Sequence, residues 1–138
     1  MASLIPKYAK KEITDVWVLE SWKLMLLKNT FTPNAGTQQY VSDVVANEAV
    51  DSGGVYTAGG VAVANKSSNY DTNNGYLDAD DVTIGPGATL TYRYGILYKN
   101  TGNQATSPIR AQIDFGAQSV VNGSTVIQWN ALGIIYLT

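Results

Sequence analysis

From about residue 55 to the end of the chain, short runs of alternating apolar and polar side chains are separated by turn-forming Gly, Asn and Pro. A period of two sends successive side chains to opposite faces, a pattern that suits a half-buried strand and not a helix. Strands are predicted over residues 61–66, 69–72, 76–79, 88–98, 109–115, 125–129 and 133–138. Asn73-Asn74-Gly75 is the clearest hairpin turn, because Asn and Gly tolerate the positive φ that a tight turn imposes. Gly85-Pro86-Gly87 and Asn122-Gly123 predict further turns, and residues 99–107 predict a polar loop that ends where Pro108 opens the next strand. Within 88–98, Leu90, Tyr92, Tyr94 and Ile96 share one face, and Thr91, Arg93 and Leu97 the other. Seven or eight strands at this spacing predict an all-β fold, a single antiparallel β-sandwich or barrel of jelly-roll or immunoglobulin-like type.

Ahead of that region, Trp22-Lys-Leu-Met-Leu-Leu-Lys28 is a nearly continuous apolar run between turn signals, and predicts a buried first strand. Residues 37–48 predict a turn or two of helix with Tyr40, Val44 and Val45 inward and Thr37 as its N-cap. In the first twenty residues Ile13, Val16, Trp17 and Glu20 recur at helical spacing. That segment is expected to be either a short amphipathic helix or an extended arm. The expected organisation is therefore an N-terminal arm or short helix over 1–21 and a β-sandwich domain over 22–138.

The chain has 138 residues, 45% of them apolar, no histidine and no cysteine. It can bury a substantial core, and it lacks the usual general base, thiol nucleophile and soft metal ligands. Charged residues make up only 14% against a usual figure of about 25%. A surface rich in Thr, Asn, Ser and Gly suits contact with neighbouring subunits, where each buried charge would need a partner. A net charge of −2 offers no broad attraction for nucleic acid. The apolar run over 16–27 is too short for a membrane span and carries Glu20 and Lys23. The start of the chain lacks the apolar stretch of a secretory leader, so folding in the cytosol is expected.

Several segments then come in a telling order. They are Tyr56-Thr-Ala-Gly-Gly60, Leu77-Asp-Ala-Asp-Asp-Val82, Arg93-Tyr-Gly-Ile-Leu-Tyr-Lys99, Ser107-Pro-Ile-Arg-Ala-Gln-Ile-Asp-Phe-Gly116, and Trp129 with Gly133 before the last strand. Across about residues 22–138 this resembles a family of small structural proteins of tailed bacteriophages and prophages, found among head and tail genes. The resemblance implies a virion component, made in the host bacterial cytoplasm.

Candidate sites are few. Asp78, Asp80 and Asp81 could offer oxygens to Ca²⁺, but they lack the glycine and distal glutamate of a calcium loop. Asp side chains accepting backbone N–H groups at a strand end are the favoured reading. Asp78 with Asp114 as a glycosidase pair would need a geometry that spacing does not supply. Tyr92, Tyr94 and Tyr98, with Tyr70, Tyr76 and Trp129, read as sheet core before they read as a sugar platform. The expected role is non-enzymatic, with no catalytic residue, cofactor or metal. A capsid decoration or cement subunit leads; a receptor- or glycan-binding module of a fibre and a neck or tail component are the alternatives. Leu4, Ile5, Tyr8 and Trp17 are the expected anchors, with Lys7, Lys10 and Lys11 matching acidic patches on the partner. That partner would be the major capsid protein or another virion protein, and the chain is expected to form a homo-oligomer.

Overall fold

The computed structural model describes residues 3–138, which are mostly β with two antiparallel sheets and one α-helix. In chain order the regular elements are α1 (Lys7–Val18), β1 (Trp22–Leu27), β2 (Val61–Ala62), β3 (Ser67–Tyr70), β4 (Gly75–Asp78), β5 (Val82–Lys99), β6 (Ile109–Ile127) and β7 (Ile135–Leu137). Short 3-10 turns occupy Val41–Asp43, Val45–Asn47 and Gln104–Thr106. The strands are ordered β2-β1-β5-β6 in one sheet and β3-β4-β7 in the other.

The described chain falls into two compact units. One combines the N-terminal residues up to Glu20 with 63–81 and 128–138; the other combines 21–62 with 82–127. This differs from the expected division into 1–21 and 22–138. The N-terminal segment does not stand apart as an arm, because α1 packs on β3 and β4.

In the larger unit, β1 is the buried strand that its apolar run predicts: Trp22, Leu24, Met25, Leu26 and Leu27 are all at most 1% exposed. Met25 and Leu27 pack with Phe31, Val41, Val44, Ile96 and Tyr98 in one cluster. Residues 37–48 bury Val41 and Val44 there through the two 3-10 turns, not through an α-helical turn. Thr37 does not cap them; Asp43 Oδ2 accepts the backbone N–H groups of Gln39 and Tyr40, both at 2.9 Å. Because β2 spans only two residues, Leu26 lies beyond its pairing with β1. The Tyr56 hydroxyl accepts the Leu26 N–H at 2.9 Å and donates to Glu48 Oε1 at 2.9 Å. Burial pushes the Tyr56 hydroxyl well above the usual phenol range, so it stays a donor.

Two expected turns are absent. β5 runs through Gly85-Pro86-Gly87, and β6 runs through Asn122-Gly123. The two segments face one another across the ladder, with Ile84 opposite Thr125 and Ala88 opposite Gly123. Each strand has a partner on both sides of its turn-forming residues, so the excess residues become bulges and the strands continue. The hairpin at Asn73-Asn74-Gly75 does form, joining β3 to β4 with Tyr70 opposite Gly75.

Asp51 organises the loop beside β5. Its carboxylate accepts N–H groups from Gly53, Val55, Tyr56 and Thr89 at 2.7–2.8 Å. These bonds, that from Tyr56 foremost, lower its pKa from 3.8 to about 2 against the opposing effect of burial. A folded-state pKa below the unfolded one stabilises the fold above about pH 4. That contribution is lost as pH falls from about 4 through about 2. Acid melting curves should show a smaller loss of thermal midpoint over this window for Asp51→Asn than for the parent protein. Equal losses would show that Asp51 is not a source of the acid sensitivity.

Candidate functional site

The N-terminal helix carries two stripes at helical spacing. Lys7, Lys10, Lys11, Thr14, Trp17 and Val18 form one; Tyr8, Glu12 and Val16 form the other, with Ile5 just ahead of the helix and Leu19 at its C-cap. The polar stripe faces the sheet. Thr14 is buried, donates to Lys11 O at 2.9 Å, and shares a 2.6 Å hydrogen bond with Ser68 Oγ. Lys10 Nζ donates to Asn73 O at 2.7 Å. Lys11 Nζ pairs with Asp15 at 2.7 Å, and this bond is the main reason the Asp15 carboxyl lies below its ordinary pKa. Lys7 Nζ lies 4.6 Å from the Tyr70 ring centroid and 5.2 Å from that of Tyr8. Trp17 is half-buried on the same side.

Gly75 explains how a lysine-bearing face can lie so close to a sheet. A Cβ built on Gly75 would sit 2.7 Å from both Lys10 C and Lys11 N, so the missing side chain is the space the helix backbone occupies. Leu77, fully buried, lies on the same face of β4 two residues on.

The apolar stripe is left to solvent. Leu4 is 94% exposed, Ile5 61%, Tyr8 59%, Ile13 44%, Val16 62% and Leu19 87%. A helix on a globular protein ordinarily turns such residues inward. Of Ile13, Val16 and Trp17, the residues whose spacing predicted the helix, only Trp17 is partly covered. The structure thus separates the sequence-derived anchors. Leu4, Ile5 and Tyr8 are on the open side, while Lys7, Lys10, Lys11 and Trp17 face the sheet. Val16 and Leu19 belong to the open surface and were missed. The signal for them was the second stripe, legible once Lys7, Lys10, Lys11 and Thr14 are taken as the packed face. The larger unit also exposes Val50, Val55, Val121 and Val126.

The remaining candidates are occupied locally. Asp78 Oδ1 accepts the Ala79 N–H at 2.8 Å, Asp81 Oδ1 accepts the Trp129 N–H at 2.9 Å, and Asp80 Oδ2 accepts from Asn65. Among the described residues no group of three or more acidic side chains converges to hold a metal ion. Asp114 is gripped by Arg93 through two bonds of 3.0 Å, which lowers its pKa. Tyr92 and Tyr98 are core residues, and the Tyr98 hydroxyl donates to Gly59 O. Tyr94 packs edge-on against Phe31 at 5.6 Å with Arg93 over its ring. In the 99–107 loop, polar groups bond to one another. Ser107 Oγ donates to Asn103 O at 2.8 Å, and Asn103 Oδ1 accepts the Ala105 N–H at 2.9 Å.

No protein-family model, curated protein or solved structure matches the chain. Among the described residues, no helix is long and apolar enough to cross a membrane.

Proposed function

We propose that the protein is a non-enzymatic structural subunit of a tailed-phage particle, and that it binds the head lattice as a decoration or cement protein. The observation that carries this reading is the open apolar face of α1. Burying an aliphatic side chain of the size of Ile, Val or Leu is worth about 1.5–3 kcal/mol, so Ile5, Val16 and Leu19 together supply the core of a stable contact. A standard interface buries about 1,600 Å² in total, and many copies bridging neighbouring capsomers would add their effects. In this proposal the fold is of the β-sandwich class expected from the sequence, and α1 is the docking element.

The test is stoichiometry in purified particles, measured against the major capsid protein. Copy numbers comparable with the shell protein are expected; a dozen or fewer would move the protein to the neck or tail. The variant Val16→Asp/Leu19→Asp should fold normally, because both side chains are exposed. Its affinity for particles should fall by at least about 100-fold, as expected for loss of central apolar anchors. Unchanged decoration by this variant would remove α1 from the interface.

A further inference from the structure

We infer that the partner of the α1 face is an apolar strip bordered by lysine or arginine on a different protein chain. This rests on the assembly reading above and adds the chemistry of the surface that α1 meets. The sequence alone points the other way, since three lysines among the first eleven residues suggest an acidic partner. The structure holds these lysines at the sheet side of the helix, outside the open stripe. Lys10 is held by Asn73 O, Lys11 by Asp15, and Lys7 lies over the rings of Tyr70 and Tyr8. The charged residue within the open stripe is Glu12, exposed between Tyr8 and Val16.

Glu12 decides among the occupants. It sits midway between Ile5 and Leu19. Two copies paired about the centre of the stripe, in either orientation, would therefore bring Glu12 against Glu12, and facing like charges are destabilising. An acidic-rimmed protein or an anionic lipid surface would meet the same repulsion. A purely apolar groove would strip water from Glu12 without a compensating partner. A cationic rim satisfies it while Ile5 and Tyr8 on one side of it, and Val16 and Leu19 on the other, dock on the apolar strip.

The helix also belongs to a unit with little core of its own. Its buried described residues are Thr14, Val63, Gly75 and Leu77, whereas the larger unit buries every residue of β1 but Lys23. Covering the open face of α1 would enlarge that core, which gives association a structural reason beyond contact area.

The experiment measures binding of the full-length protein to two synthetic helical peptides by fluorescence anisotropy. The peptides share one leucine face; one carries flanking lysines and the other flanking glutamates. At low salt the lysine peptide should bind at least about tenfold tighter, and the gap should shrink in about 0.5 M salt as charges are screened. Glu12→Lys should abolish or reverse the preference, and Glu12→Gln should weaken it, with circular dichroism confirming that both variants fold. Equal binding, tighter binding of the glutamate peptide, or no binding of either would overturn the inference. A lysine preference in a protein that is scarce on particles would overturn only the decoration reading. Abundant decoration without a charge preference would overturn only this one.

Discussion

Leu24→Ala should lower the stability of the larger unit by about 3–5 kcal/mol, the upper range for an aliphatic truncation at a fully packed site. Leu24 is 0% exposed, pairs with Leu97 on one side and with Val61 on the other, and its side chain fills space beside Gly95. The cavity cannot collapse easily, because the β1 backbone is held by ladders on both flanks at this position. Urea unfolding followed by tryptophan fluorescence would report the loss directly, since Trp22 is buried at the start of the same strand. A loss under about 1 kcal/mol would show that the β1 environment relaxes, contrary to close packing.

Gly75→Val should undock α1. The added Cβ would meet Lys10 C and Lys11 N at 2.7 Å, and both are backbone atoms that no side-chain rotation can move aside. The expected cost is about 3 kcal/mol, at the upper end of the range for overpacking. It should be local. Amide exchange across Lys7–Val18 should accelerate by at least about 100-fold while protection of Trp22–Leu27 persists, because exchange reads the stability of each segment separately. The helix would then no longer present Val16 and Leu19 in register, so under the proposed docking role particle binding should fall as expected for Val16→Asp/Leu19→Asp. Retained helix protection would mean that the helix shifts along the sheet instead of leaving it.

Much of the architecture was legible because it follows from local patterns. The apolar run at 22–27 had nowhere to go but the interior, and Asn73-Asn74-Gly75 has few uses other than a tight turn. The predominance of strands followed from period-two alternation. The tyrosines of β5 read as core for the same reason, and Tyr92 and Tyr98 are core. The failures came where a local signal had two outcomes. Gly85-Pro86-Gly87 and Asn122-Gly123 are turn formers, and they serve as bulges because each lies opposite the other in a continuous ladder. Thr37 had the chemistry of a cap, but Asp43 reached the free N–H groups first.

The candidate site shows the same division. That the first twenty residues could form a helix was evident from residue type and spacing. Which stripe of that helix faces outward was not, because hydrophobicity predicts the apolar side inward. The decision was made by residues some sixty positions away: Gly75 lacks the side chain that would hold α1 off, Ser68 bonds Thr14, and Asn73 O receives Lys10. The sequence by itself determined a β-rich chain with a buried first strand, a polar loop and a helix-capable N-terminus, because periodicity and turn chemistry act between near neighbours. Only the tertiary structure decided the helix's orientation, the two long bulged strands and the identity of the exposed apolar face, because each depends on atoms brought together from distant parts of the chain.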